Sequence, residues 1–270
     1  MISSLREKKE GAPVSMATTF FENGKLLDEW RPLLRILHLG GNGDPFAQRG
    51  ASLCLAYILL VGCPSQAVGV IDVDYSSVKE PLQALLSWIS SQLQSSSGAS
   101  VSLVTPTLTA LVNCSEARYM FASSGGIGYI ARHLRTKQDS PSSRKKEAGA
   151  SVQQLYELCF ALWAMTYECN HSFAIRASFA RDCAVKSLCD LVKTAPREKV
   201  VRVALSALRN LAECTNDGSD PAGGKRVIDG AAFLDEMIGC GLMKSVDMMM
   251  ERKWSDNDIM EGKFQSLPII

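Results

Sequence analysis

The sequence has few of the residue patterns that carry catalysis. It contains three histidines, none with a metal-ligand partner four residues away, and it has no Cys-x-x-Cys pair. The glycine-rich stretches at 40–45 and 123–129 lack the Gly-Lys-Ser/Thr ending of a phosphate-binding loop and do not complete G-x-G-x-x-G. No G-x-S-x-G nucleophile elbow occurs. These absences favour a protein that is not an enzyme and that has no cofactor or metal site.

A charge excess and a long apolar run are also missing. Lys and Arg number 29 against 28 Asp and Glu, which argues against general binding to nucleic acid. The longest apolar run, residues 53–61, is far shorter than the roughly 20 residues that span a bilayer, so we expect no membrane insertion. Nine cysteines without a secretory leader indicate reduced thiols in a cytoplasmic protein, mostly as small core residues.

The sequence is rich in helical periodicity, with 46% hydrophobic residues. Residues 183–214 predict two helices with a break at 194–196, where Pro196 suits the first turn of the second helix. On a helical wheel this second helix has apolar residues on most sides and one narrow polar stripe. The polar stripe consists of Lys199, Arg202, Ser206, Arg209, Asn210 and Glu213. Such a helix is typical of the middle of a stack.

A second segment has the same polar pattern in the same register. Residues 102–114 can be aligned with the 198–213 helix by placing Asn113 on Asn210, and five of the six stripe positions are then polar. Together with a spacing of about 40 residues between helical pairs, this predicts an all-α, right-handed α-solenoid of armadillo/HEAT-type repeats. We place the solenoid at 26–260, with flexible insertions near 137–150 and 215–225. Residues 1–25 are expected to be poorly ordered or partly helical, and 261–270 to be a truncated tail.

Two features could bind a partner. The first is the polar stripe, with Lys199, Arg202 and Arg209 as its cations; a plain solvated helix face is the alternative. The second is an aromatic stripe on the 152–169 helix, which in the repeat alignment takes the place of the polar one. The aromatic stripe consists of Tyr156, Phe160, Trp163 and Tyr167. Four exposed rings would be costly, so either a neighbouring segment or a partner protein is expected to cover them.

Three segments in the same order and with similar spacing resemble the H subunit of vacuolar-type proton ATPases. They are LYELCFALWAMT at 155–166, EKVVRVALSALRNLAE at 198–213 and MIGCGLMKSVDMMMERKWSDNDI at 237–259, and a weaker match covers 119–134. The resemblance implies the N-terminal solenoid of that subunit. Since family chains continue into a second helical domain, the C-terminal domain is apparently absent here.

The resemblance also implies a function. The H subunit is a non-catalytic regulatory and assembly component on the cytosolic face of vacuolar and other endomembranes. It binds the helices of the peripheral stalk and bridges the catalytic and membrane sectors in ATP-driven proton transport. The alternative is a generic armadillo adaptor for an extended or helical peptide. The residues expected to contact partners are Tyr156, Trp163, Lys199, Arg202, Arg209, Asn210, Arg252, Lys253 and Trp254, although the last three could simply end a helix.

Overall fold

The computed structural model describes residues 19–39, 43–65, 73–95, 97–135, 151–215 and 228–250. The chain divides into two compact units, residues 1–129 and 130–270. Both consist of helices in their described parts, and a two-stranded hairpin in the first unit is the exception. The predicted all-α class is therefore confirmed. Among the described helices, none combines the length and the apolar character that crossing a membrane requires.

The first unit begins with a small hairpin that the sequence analysis did not predict. Strands β1 (Phe21–Glu22) and β2 (Lys25–Leu26) pair antiparallel. Asn23 and Gly24 between them have φ values of 49° and 75°, as a two-residue hairpin turn requires. The expectation of a poorly ordered or partly helical start is not met over these residues, because Asn-Gly favours this turn so strongly.

Five helices and part of a sixth complete the described part of the first unit. A 3-10 helix at Asp28–Trp30 precedes α1. The helices are α1 (Arg31–Leu37), α2 (Pro45–Val61), α3 (Tyr75–Gln94), α4 (Gly98–Leu111), α5 (Ser115–Ser123) and α6 (Gly126–Leu134), the last of which crosses the boundary between the units.

Local signals explain where the long helices of this unit begin. Asp44 caps α2, and its carboxylate accepts a hydrogen bond from the Phe46 backbone amide at 3.1 Å while Pro45 occupies the first turn. Asp74 caps α3 in the same way. Helices α2 and α4 pack side by side, and the buried hydroxyls of Ser52 and Thr107 hydrogen bond between them at 2.8 Å.

The second unit contains six further helices in its described part. They are α7 (Val152–Thr166), α8 (Phe173–Arg181), α9 (Ala184–Thr194), α10 (Glu198–Ala212), α11 (Gly230–Gly239) and α12 (Leu242–Met250). The predicted break near Thr194 is confirmed, but Pro196 does not open the next helix. Arg197 is extended, with φ −125° and ψ 136°, so Pro196 belongs to the turn and α10 begins only at Glu198.

Helices α7 and α10 form the central pair of this unit. They make extensive contact, and their contacting residues advance together along the two chains: Tyr156 meets Lys199, and Thr166 meets Asn210. The two helices therefore run parallel and side by side, as in neighbouring repeats of an α-solenoid. Their buried sides supply much of the core, including Leu158, Leu162, Ala204 and Leu208. The predicted insertions near 137–150 and 215–225 fall almost wholly outside the described residues.

Candidate partner-binding site

The four rings of the aromatic stripe form a continuous row along α7. Ring centroids lie 6.4 Å apart for Tyr156 and Phe160, 5.3 Å for Phe160 and Trp163, and 5.4 Å for Trp163 and Tyr167. Separations of 4.5–7 Å are those at which aromatic pairs attract each other. The rings therefore shield one another along the helix.

The start of α7 fixes the direction in which this row points. Ser151 and Gln154 form a reciprocal capping box. The Gln154 backbone amide donates to the Ser151 hydroxyl, and the Ser151 backbone amide donates to the side-chain oxygen of Gln154. With the helix begun there, Leu158, Leu162 and Met165 are fully buried. Side chains three and four residues apart share a face, so the aromatic row lies along the border between core and solvent.

The row is only partly covered in the structure. Tyr156, Phe160 and Trp163 are half-buried, and Tyr167 at the end of the row is 51% exposed. The sequence left two alternatives open, cover by a neighbouring segment or cover by a partner. The structure shows partial cover from within the protein, and the remaining ring surface is open to a partner. Self-stacking and the adjacent helix cover part of each ring and leave the outer edges available.

The polar stripe runs along the solvent side of α10. Arg202 and Arg209 are exposed and each pairs with a glutamate one helical turn away: Arg202 with Glu198 at 2.5 Å and Arg209 with Glu213 at 2.8 Å. Ser206 donates its hydroxyl to the Arg202 carbonyl of the same helix at 2.9 Å. These local contacts hold the two guanidinium groups close to the helix surface.

Two contacts join the stripes into one surface. The Lys199 ammonium lies over the Tyr156 ring, 5.2 Å from its centroid, in the range of a cation–π contact. At the other end, the Asn210 amide donates to the Thr166 hydroxyl at 2.8 Å. We call this surface the α7–α10 face; it comprises the aromatic stripe together with Lys199, Arg202, Arg209 and Asn210.

Six of the nine residues expected to contact partners therefore lie on one face. Tyr156, Trp163, Lys199, Arg202, Arg209 and Asn210 all belong to the α7–α10 face. Arg252, Lys253 and Trp254 lie outside the described residues. The sequence analysis missed Thr166, which is buried and fixes Asn210; a threonine in an apolar helix carries no signal that it will meet a particular asparagine.

A second group of chemically active side chains lies in the first unit. The ligand atoms of Cys63, Cys114 and Glu116 all lie within 4.8 Å of one another. Cys114 donates its thiol to a Glu116 oxygen at 2.9 Å, and Ser65 donates its hydroxyl to the same oxygen at 2.6 Å. Cys63 is 51 residues from Cys114 in the sequence, so spacing alone could not have revealed the cluster.

The group places one carboxylate beside two thiols in a partly buried position. The hydrogen bond with Cys114 and burial together raise the pKa of Cys63 well above that of an ordinary thiol. Burial also raises the pKa of the nearby Tyr75 to about 12, with added repulsion from Cys63 and Glu116. Burial tends to raise the pKa of Glu116, yet the hydrogen bonds from Cys114 and Ser65 lower it overall. The carboxylate is thus held ionised beside two thiols.

Comparison with known proteins decides the family. A family model that describes the H subunit of V-ATPases matches residues 5–263. The chain belongs to the V-ATPase H-subunit family. The resemblance seen in three segments of the sequence is confirmed, and it extends over nearly the whole chain.

Curated members of the V-ATPase H-subunit family from distant organisms are similar to this chain. The V-type proton ATPase H subunit of Dictyostelium discoideum is 26% identical over 232 residues, which cover 86% of this chain and 43% of the relative. The probable V-type proton ATPase H subunit of Oryza sativa subsp. japonica is 25% identical over 91% of this chain and 50% of the relative. The V-type proton ATPase H subunit of Drosophila melanogaster is 25% identical over 67% of this chain and 33% of the relative. The chain thus spans a third to a half of the length of these relatives.

Proposed function

We propose that this chain acts as a non-catalytic accessory subunit of a vacuolar-type proton ATPase, at the cytosolic face of an endomembrane. In this proposal its α7–α10 face binds a helix of the peripheral stalk and so helps to bridge the catalytic and membrane sectors that together drive proton transport. Family membership supports the assignment to the complex. The observation that supports the binding face is a half-buried aromatic row beside three exposed cations.

The aromatic row suits an amphipathic helix as its partner. The residues that dominate binding energy at protein interfaces are enriched in Trp, Tyr and Arg, and Trp and Tyr bury large areas at low entropic cost. The row runs from Tyr156 in α7 to Tyr167 at the C-cap of that helix, or about 16 Å at a rise of 1.5 Å per residue. Three turns of a partner helix have the same length, so apolar residues on one of its faces could cover the open ring edges.

The charges beside the row favour acidic side chains on that partner. Arg202 and Arg209 already pair with Glu198 and Glu213, but exposed pairs of this kind contribute only about 0.3–0.5 kcal/mol. A partner carboxylate that loses little solvent exposure can therefore compete for a guanidinium group. Lys199 extends the same charge toward Tyr156. The three cations span the length of α10.

The alternative function, an armadillo adaptor that reads the backbone of a peptide through a row of asparagines, receives less support. Asn210 uses its amide to bind Thr166 of the neighbouring helix. Asn113, its counterpart in the repeat alignment, donates to the carbonyls of Thr109 and Ala110 at the end of its own helix. In this structure the side-chain amides of both asparagines donate hydrogen bonds to groups of the protein itself.

The test is direct binding to a purified peripheral-stalk heterodimer, measured by calorimetry at low and physiological salt. The double variant Arg202→Ala/Arg209→Ala should bind at least about 10-fold more weakly, a loss of 1.4 kcal/mol. The difference should shrink as salt rises, since exposed charges are screened. Arg31→Ala is the matched control, because Arg31 is also exposed and paired with a nearby acid, Asp28, but lies in the first unit. Equal binding by the double variant and the control would contradict the role of the α7–α10 face.

A second variant addresses the aromatic row. Trp163→Ala together with Arg209→Ala should weaken stalk binding while far-UV circular dichroism stays as in the wild type, since the Trp163 ring is half-buried on the rim. Loss of helicity would instead assign the ring to the core. If the unmodified chain recovers no stalk or catalytic-sector subunits from membrane extract, the assembly role itself is wrong.

A further inference from the structure

The Cys63–Cys114–Glu116 group is assembled from two distant parts of the sequence. Cys63 follows the end of α2, and Cys114 follows the end of α4 and is the residue directly before α5. Because α2 and α4 pack side by side in the same direction, their ends meet and bring the two thiols together. Glu116 reaches the same point from the first turn of α5. The fold therefore holds two thiols and one carboxylate in place.

The ligand atoms are close enough to form a tetrahedral metal centre after small shifts. With Zn–S bonds of about 2.3 Å, two thiolates on one zinc ion lie about 3.8 Å apart. The ligand atoms of the group all lie within 4.8 Å of one another. The Cys114 sulfur and the Glu116 oxygen are 2.9 Å apart, which requires a shift of well under 1 Å for both to bind one ion at the usual bond lengths.

We propose that Cys63, Cys114 and Glu116 bind one Zn²⁺ ion, with a water molecule as the fourth ligand. Two thiolates select a soft or borderline cation such as zinc over Mg²⁺ or Ca²⁺, which prefer ligand sets made of oxygen. Cys63 and Cys114 are fully buried, whereas Glu116 is half-buried. The carboxylate side is therefore the route by which the ion and its water enter.

The surroundings support an ion at this position in two ways. Ser65 donates both its amide and its hydroxyl to Glu116, at 3.2 and 2.6 Å, and Ser115 donates its amide to the Ser65 hydroxyl. Outer contacts of this kind hold metal-binding carboxylates in position. In addition, within the described parts of the chain no Lys or Arg forms an ion pair with Glu116. A divalent cation would supply the missing positive charge.

The experiment uses the full chain, reduced and stripped of metal by a chelator. Zn²⁺ is titrated in competition with a chromophoric chelator, and Co²⁺ is added separately as a spectroscopic probe. We expect one zinc ion per chain, a sulfur-to-cobalt charge-transfer band, and a melting temperature that rises with added Zn²⁺, since binding to the folded state alone stabilises it.

Matched variants distinguish this site from other cysteines. Cys63→Ser and Cys114→Ser should each weaken Zn²⁺ binding more than about 100-fold, beyond the effect of losing an outer-shell partner. Glu116→Gln should weaken binding but leave the charge-transfer band in place, because both thiolates remain. Cys54→Ser is the control, since Cys54 is an exposed cysteine of α2 in the same unit. Its affinity for zinc should equal that of the wild type.

Three results would overturn the proposal. The first is an absence of stoichiometric zinc binding by the reduced, folded chain. The second is binding that survives Cys63→Ser and Cys114→Ser, which would locate the ion elsewhere. The third is a Cys63–Cys114 disulfide that persists in the chain after mild reduction, found by mass spectrometry of the treated protein, because the oxidised pair cannot supply two thiolates. Circular dichroism of each variant separates loss of ligand from loss of fold.

Discussion

The Asn210 amide donates a hydrogen bond of 2.8 Å to the Thr166 hydroxyl and so ties the last turn of α10 to the last turn of α7. Thr166 in turn donates to the Trp163 carbonyl at 2.6 Å. Thr166 is buried, whereas Asn210 lies at the rim. This pair fixes the spacing of the two helices at the end where Tyr167 is most exposed.

Removing the Asn210–Thr166 pair should show a measurable coupling. Asn210→Ala is expected to lower the free energy of unfolding by about 1 kcal/mol, the typical contribution of such a hydrogen bond. In a double-mutant cycle with Thr166→Val, the two effects should fail to add by about 0.5–1 kcal/mol. Urea unfolding followed by circular dichroism measures all four proteins.

Ser206→Ala is the control for this cycle, because Ser206 lies on the same helix but bonds only to the Arg202 carbonyl of its own helix. It should show no coupling to Thr166→Val. Full additivity of Asn210→Ala and Thr166→Val would mean that the hydrogen bond does not hold α7 against α10 in solution.

Much of the fold could be predicted from periodicity and local signals. The polar stripe of α10 and the apolar surroundings follow from a 3.6-residue repeat, and Asp44-Pro45 marks the start of α2 because capping is a local interaction. The stripes of α7 and α10 could also be placed side by side, since repeat units in one register stack in parallel.

The remaining features depend on contacts between distant residues. Cys63 meets Cys114 only because α2 and α4 pack in parallel, and no spacing in the sequence indicates that these two cysteines lie together. The start of α10 also differs from the prediction. Arg197 is extended, so Pro196 lies in the turn before α10 and not in its first turn. The Asn23-Gly24 hairpin carried a local signal, but two-residue strands are too short to show alternation.

Gly230 should tolerate no side chain. A Cβ added there would lie 2.1 Å from the Ala212 carbonyl oxygen at the end of α10, and backbone cannot move aside as a flexible side chain can. The Gly230 amide also donates to the Cys214 carbonyl at 2.8 Å. Gly230→Ala should therefore cost about 2 kcal/mol or more in unfolding free energy, as overpacking typically does, measured by urea unfolding.

Gly239 is the matched control at the other end of the same helix. No atom in the described part of the chain lies within 4 Å of a Cβ built there, and alanine reduces the entropy of the unfolded chain. Gly239→Ala is expected to be neutral or to stabilise by about 0.5 kcal/mol. Equal destabilisation by both variants would show that α11 does not pack closely on the end of α10.

Two cysteines should differ sharply in their reactivity. Cys54 is exposed on α2, whereas Cys159 is buried beneath α10, with its sulfur 4.0 Å from the Val200 carbonyl. Burial raises the pKa of Cys159 above that of an ordinary thiol, and the thiolate is the reactive form. Iodoacetamide should modify Cys54 in the folded protein and Cys159 only in urea, as followed by peptide mass spectrometry. Similar rates in the folded protein would show that α7 and α10 separate readily.

Asp74 should make the stability of α3 depend on pH. Its carboxylate accepts hydrogen bonds from the Ser76 hydroxyl at 2.6 Å and from the Ser76 amide at 3.0 Å. The hydroxyl contact, followed by the amide contact, lowers the pKa of Asp74 below its usual value. A folded-state pKa below the unfolded one means that the contribution is complete above the unfolded value, about 3.9. The contribution is lost as pH falls through the folded value.

Asp74→Asn provides the comparison, because asparagine caps a helix nearly as well but does not titrate. Between pH 5 and 7 we expect a constant stability advantage of the wild type over the variant, helped by the negative charge at the helix start. Below about pH 4 the advantage should shrink, because protonation removes both the charge and the preference for the folded state. Urea unfolding of the two proteins from pH 7 down to pH 3 measures the difference. A difference that stays constant to pH 3 would mean that the Asp74 carboxylate is not held by Ser76 in solution.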